Sequence, residues 1–206
     1  MATRSLILRH GDARDAASID TVMAAAFDPR YGEAWTRSQC LGVLAMPGVH
    51  LTLAFIDDQP AGFSLTRAIA GEAELLLLAV APSFRRTGVG GTLLRGVIAD
   101  CQSRDVTILH LEVRADNDAV ALYEANGFAK VGERRGYYRG RDGRHHDAHT
   151  YSRPIRFSLL RVGIPFRNKR TRLHDAQLKG NAPWRARSIW KHSATRRGCA
   201  SPNNAA

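Results

Sequence analysis

Cysteine is scarce in these 206 residues: Cys40, Cys101 and Cys199 are an odd number without CxxC spacing. That argues against a disulfide framework and against a cysteine metal site, and packed thiols are the expectation for the first two. Long apolar runs are lacking as well. The longest, Leu75 to Ala81, falls far short of the ~20 residues a membrane-spanning helix needs. The N-terminus has no apolar stretch leading to a small-residue cleavage site. A soluble cytoplasmic protein without membrane contact is expected. Acidic residues are missing from the last quarter, where Asp175 stands alone after residue 155.

The missing acids decide how the charge is read. Residues 1–155 carry 18 of the 30 basic side chains and 18 of the 19 acidic ones, so they balance, and the net charge of +11 belongs to residues 156–206. The basic balance therefore says nothing about the folded domain. Past Ile155, periodic apolar residues give way to scattered Arg, Pro, Trp and Gly, a composition that cannot bury enough apolar surface to fold. The expected organisation is one folded domain at 1–155 and a basic tail at 156–206 that is either disordered or non-native. Trp184 and Trp190 among the tail's arginines suit stacking on bases, so a weak RNA contact is the tail's functional reading; a solvated extension is the plain one.

Within 1–155 the periodicity is clear. Ser5–His10 predicts a strand, and Asp12 is a good N-cap for a helix to about Phe27, with Ile19, Val22, Met23 and Ala26 at helical spacing. Glu33–Ala45 predicts a second helix stopped by Pro47-Gly48. His50–Ile56 and Ala61–Ala70 flank the turn residues Asp57-Asp58-Gln59-Pro60. Glu72–Ala81 is apolar on both faces and predicts an interior strand. Gly88–Ser103 reads as an amphipathic helix with a glycine-rich first turn. A strand at Val106–Val113, a helix at Asp116–Asn126 and two strands near 128–138 and 147–155 complete the order βααβββαβαββ. This is an α/β domain of the α+β kind, its helices covering a largely antiparallel sheet.

The chemistry concentrates after the interior strand. Leu78, Ala79 and Val80 lead through a short turn into Arg85, Arg86, Thr87, Gly88, Val89, Gly90 and Gly91. Amides at a helix N-terminus lack internal partners and carry the positive end of the helix dipole, so they cradle phosphates. Glycine at 88 and 90 removes Cβ atoms that would hold phosphate oxygens away, and Arg85 and Arg86 add counter-charge. The sequence lacks GxxxxGK[ST] and GxGxxG, which excludes a nucleoside-triphosphate loop and a dinucleotide fingerprint. RxxGxG by itself is also compatible with a plain helix start.

RRTGVG after LLLLAVAP closely resembles the coenzyme-A pyrophosphate loop of the GNAT acetyltransferases, and LEVRADNDAVALYEANGF (Leu111–Phe128) resembles their next strand, loop and helix. The resemblance covers residues 4–155 and extends to AELLLLAV, Trp35-Thr36, Gly136-Tyr137-Tyr138 and DAHTYSRPI (Asp147–Ile155). The pattern is most similar to the bacterial alanine N-acetyltransferases of the RimI type, which acetylate the N-terminus of a small-subunit ribosomal protein. It implies a GNAT fold, acetyl-CoA as co-substrate, no metal, and the N-terminal peptide of a ribosomal protein as partner. It further implies Glu112 as general base, Tyr123 as the acid that protonates the departing thiolate, Asn117 as a coenzyme contact, and Leu78, Ala79 and Val80 as the strand that pairs with the pantetheine arm.

Plainer readings stand beside these. Glu112 is also a candidate surface residue at a strand end, Tyr123 a packing tyrosine, and Glu72 and Glu74 are runner-up bases on the preceding strand. One residue fewer separates Asn117 from Tyr123 than in the family, and such a loss turns a helix by about 100° unless the loop absorbs it. Tyr137 and Tyr138 suit either a peptide channel or strand packing. His145, His146 and His149 crowd together without a completing Cys or carboxylate, which favours an exposed turn over a metal site. A small amine as acceptor, and a non-catalytic coenzyme-binding or ribosome-tethered adaptor, are the rival functions.

Overall fold

Seven strands form one sheet in the computed structural model, which describes residues 5–27, 34–140 and 143–156. In chain order the elements are β1 (Leu6–Gly11), α1 (Ala16–Ala26), α2 (Arg37–Leu44), β2 (Val49–Ile56), β3 (Gln59–Ile69), β4 (Glu72–Val80), α3 (Val89–Ser103), β5 (Ile108–Arg114), α4 (Ala119–Ala125), β6 (Ala129–Arg139) and β7 (His145–Pro154). The spatial order is β1-β2-β3-β4-β5-β7-β6, antiparallel except for the parallel pair β4–β5. The element order is the one expected from periodicity. The tail expected at 156–206, with its RNA contact, lies outside the described residues apart from Arg156. Among the described residues no helix is long and apolar enough to cross a membrane.

Element boundaries move where capping chemistry takes over from hydrophobic periodicity. Asp12 caps a 3-10 turn at Ala13–Asp15, its carboxylate accepting from the Arg14 amide at 2.8 Å while Asp15 accepts from the Asp12 amide at 3.0 Å; α1 starts one turn later. Thr36 and Gln39 form a reciprocal capping box, so α2 starts at Arg37 rather than near Glu33. Helix α3 ends in a Schellman turn. Asp105 takes φ +57°, the Val106 amide reaches back to the Cys101 carbonyl at 3.0 Å, and β5 is delayed to Ile108.

The sheet is covered on both faces. Ile19, Val22 and Met23 of α1 with Cys40 and Val43 of α2 pack on Leu51, Leu53, Phe63 and Leu65. On the other face Leu94, Val97, Ile98 and Cys101 of α3 pack with Leu109, Leu111, Val113, Tyr123 and Phe128. Strand β4 serves both layers. Leu65 pairs with Leu77 and Thr66 with Leu75, so Leu76 is an extra residue in β4. One inserted residue exchanges the faces of everything after it. Ala73 and Leu75 accordingly join the α3 layer, whereas Leu77 and Ala79 join the α1–α2 layer. This bulge is a second reason, beside interior position, why Leu75–Ala81 reads as an unbroken apolar run.

Candidate active site

The sheet opens at its parallel pair. Strands β4 and β5 are in register over four residue pairs, from Glu72–Ile108 to Leu75–Leu111. Both then continue, β4 to Val80 and β5 to Arg114, without pairing each other. Beyond the bulge Leu78, Ala79 and Val80 pair with Ser64, Phe63 and Gly62 on the β3 side. Their β5 side has no strand beside it among the described residues. Backbone donors and acceptors along such an edge accept an extended chain as one more strand.

That edge runs directly into the glycine-rich turn. After a 3-10 turn at Pro82–Phe84, Arg86 (φ +62°) and Gly88 (φ +90°) take left-handed conformations and turn the chain into α3. Thr87 is held in the turn, its hydroxyl donating to the Phe84 carbonyl at 2.7 Å. The first helical bond is Thr92 N–H to the Gly88 carbonyl, at 3.0 Å. The amides of Val89, Gly90 and Gly91 precede it, and no side chain caps this end. They form an anion cradle at the positive end of a 15-residue helix. A Cβ on Gly88 would meet nothing within 4 Å, so this glycine opens onto space, whereas one on Gly90 would touch Leu122 at 3.4 Å and Val80 at 3.6 Å. Gly90 therefore also brings α3 close to α4 and β4. Arg86 is exposed, and Arg85 donates to the Ala26 carbonyl at the end of α1 over 2.5 Å.

Glu112 lies on the face of β5 opposite Leu111 and Val113, just past the last β4–β5 pair. Its side chain is 14% exposed, with Arg134 Nη2 3.1 Å from Oε1. Oε1 receives no hydrogen bond despite that ion-pair distance. Burial raises the Glu112 pKa above the ordinary glutamate value of 4.5, while Arg134 and a hydrogen bond from Tyr137 oppose the rise. Glu74 also has its pKa raised, first by burial and then by Glu112, against the pull of Arg67 and Arg134. In register it pairs with His110 of β5 and Arg67 of β3, beside the same opening. Glu72 is exposed at the start of β4, farther from the opening.

Strand β6 reaches Glu112 through an irregularity. Arg134 pairs with Ala148 and Tyr138 with His146, which leaves three β6 residues facing one β7 residue, Asp147. In this bulge Gly136 has φ +58° and donates its amide to Asp147 Oδ1 at 2.7 Å. Arg134 sits over the Tyr137 ring at 5.3 Å, and Tyr137 meets Tyr138 edge-on at 5.1 Å. Sequence reasoning marked Tyr137 and Tyr138 but missed Arg134 as the ion partner and Asp147 as the anchor. The charge complementarity of Glu112 and Arg134 becomes visible once β7 is known to lie between β5 and β6.

Tyr123 is 7% exposed in the α3 layer. It is the buried residue of α4. Asn117 Oδ1 accepts from the Ala119 amide at 2.9 Å and so caps α4. The three histidines go separate ways: His145 Nδ1 lies 3.2 Å from the Gly136 carbonyl, His146 Nδ1 3.6 Å from Asp116, and His149 Nε2 3.7 Å from Glu133. Among the described residues no group of three or more His, Cys, Asp or Glu is arranged to hold a metal ion.

Known proteins are similar to this chain in sequence and in fold. A [Ribosomal protein bS18]-alanine N-acetyltransferase of Salmonella typhimurium is 44% identical over 100 residues, which span 48% of this chain and 67% of that protein. The N-alpha-acetyltransferase RimI of Mycobacterium tuberculosis is 33% identical over 137 residues, 64% of this chain and 82% of that one. The crystal structure of the ribosomal-protein-S18-alanine N-acetyltransferase of Escherichia coli superposes with a TM-score of 0.68 at 28% identity, covering 78% of this chain and all of that one. The family model of the acetyltransferase (GNAT) domain matches residues 24–140, a stretch that holds the parted strands, the amide cradle and Glu112. The chain is thus a member of the GNAT family, an acetyl-CoA-dependent N-acetyltransferase.

Proposed function

We propose that this enzyme acetylates the N-terminal α-amine of a protein, and that its acceptor is the N-terminal alanine of a small-subunit ribosomal protein in the cytoplasm. The acceptor is taken from the names of the relatives, notably the 44% identical one. The chemistry is argued from the residues. An α-ammonium has a pKa of roughly 8 and attacks a thioester only after losing its proton. Glu112 takes that proton, directly or through water. Its burial-raised pKa narrows the gap between base and substrate, which eases the transfer.

Bound acetyl-CoA supplies an activated acetyl thioester. The amides of Val89, Gly90 and Gly91 hold its diphosphate, with Thr87 shaping the turn and Gly88 leaving the approach open. Arg85 and Arg86 add positive charge, and Asn117 contacts the coenzyme beside α4. Leu78, Ala79 and Val80 take the pantetheine arm along their open edge, and a backbone N–H there polarises the thioester carbonyl. Tyr123 returns a proton to the departing sulfur.

The observation that carries this reading is a half-buried carboxylate, Glu112, at the mouth of a gap whose floor leads into an uncapped helix N-terminus. The test is intact-mass analysis of alanine-starting ribosomal-protein peptides incubated with acetyl-CoA and the full chain, beside a panel of small amines and polyamines. One added acetyl group on the peptide amine is expected. Faster acetylation of a small amine would overturn the protein acceptor, and no acetylation of either would overturn the catalytic assignment.

A further inference from the structure

Strand β7 ties the two sides of the Glu112 site together at one residue. The Asp147 carbonyl accepts from the Ala115 amide at 2.8 Å, just past the end of β5 and three residues beyond Glu112. Its carboxylate accepts from the Gly136 amide at 2.7 Å, in the middle of the β6 bulge. The bulge has no ladder of its own between Arg134–Ala148 and Tyr138–His146. A left-handed residue there, with His145 Nδ1 3.2 Å from its carbonyl, needs an anchor to keep one conformation. Tyr137 follows Gly136 directly; its ring lies under Arg134 at 5.3 Å, the same Arg134 that comes within 3.1 Å of Glu112, and hydrogen bonding from Tyr137 holds the Glu112 pKa down.

We infer that Asp147 is a positioning residue: its carboxylate clamps the bulge at Gly136 and thereby holds the Tyr137 hydroxyl against Glu112. Asp147 makes this contact while half-buried and on a different strand from either partner. The clamp sets two things at once. It fixes the height of the bulge over β5, because the same residue bonds both strands. It also keeps a donor on Glu112, and a hydrogen bond to an ionised carboxylate favours the ionised form. The other charged groups facing this carboxylate are Arg134 from β6, which also favours ionisation, and Glu74 from β4, whose own ionisation Glu112 disfavours. Without the clamp Tyr137 turns away, and Glu112 becomes harder to ionise.

The inference rests on Glu112 as the base only for its kinetic consequence, so it is tested by a measurement that needs no turnover. The pKa of Glu112 is followed by carbon NMR of the full chain labelled at glutamate carboxyls, the Glu112 signal being the one lost in Glu112→Gln. Asp147→Ala is expected to raise that pKa by about one pH unit, the size of one lost hydrogen bond to a carboxylate. Tyr137→Phe should raise it equally, and the double variant no further. Asp147→Asn retains an acceptor oxygen for Gly136 and should restore the native titration. The acidic limb of the kcat profile with an alanine-starting peptide should move in parallel. An unmoved Glu112 titration in Asp147→Ala, additive shifts in the double variant, or a shift in Asp147→Asn as large as in Asp147→Ala would each overturn the clamp. If Asp147→Ala does not fold, the Asn and Phe variants decide: the clamp requires a native titration in the first and a raised pKa in the second. A carboxyl titration that moves while the kcat limb stays put would leave the clamp standing and remove Glu112 as the base.

Discussion

The ring of Tyr123 meets that of Phe128 edge-on at 5.9 Å, and the backbones of the same two residues are joined by the Phe128 amide bonding to the Tyr123 carbonyl at 3.1 Å. Both contacts belong to the Schellman turn that ends α4, with Gly127 at φ +80° as its left-handed residue. The ring and the backbone of Tyr123 thus both serve packing at the end of α4. Tyr123→Phe should keep the fold, with stability within about 1 kcal/mol of the parent, because the substitution conserves ring volume. Acetyl transfer should nonetheless fall by about 10²-fold if this hydroxyl protonates the leaving sulfur. Urea unfolding together with steady-state kinetics separates the two effects, and an unchanged kcat would assign Tyr123 to packing alone.

Glu112→Gln should lower kcat by about 10²–10⁴-fold while leaving coenzyme A affinity intact, because it removes the base without touching the cradle. The raised pKa also sets a stability sign. A carboxyl with a higher pKa folded than unfolded favours folding fully below its unfolded pKa, and that contribution is lost as pH rises through the folded value. Glu112→Gln should therefore melt close to the parent in acid and above it at neutral pH, the gap opening above the ordinary glutamate pKa. Melting curves across pH check this, and a parent that is more stable than the variant at neutral pH would contradict it.

Much of this was legible in the sequence because it rests on local chemistry. Asp57-Asp58, with both residues at positive φ, supports the predicted turn, and the glycines at 88 and 127 mark a helix start and a helix stop. Glu112 and the turn at Arg86–Gly91 are singled out by a strand–loop–helix pattern that is contiguous in the chain. Features that depend on which strands neighbour each other were not legible. Arg134 and Glu112 meet because β7 inserts between β5 and β6, and Asp147 matters because it bonds both flanking strands. Arg85 shows the same limit: its guanidinium reaches the Ala26 carbonyl, 59 residues away, a contact that the local motif does not announce.

Gly88→Val tests the cradle. A β-branched residue at φ +90° is strained whatever the space around it, at a cost of about 1–3 kcal/mol, and relaxing that strain turns the first amides of α3 away from a common point. Calorimetry should show coenzyme A binding weakened by at least about tenfold, the equivalent of 1.4 kcal/mol. Gly42→Val makes a fair control, since that glycine lies in α2 with nothing within 4 Å of a Cβ. Equal coenzyme affinity in both variants would separate the glycine-rich turn from diphosphate binding.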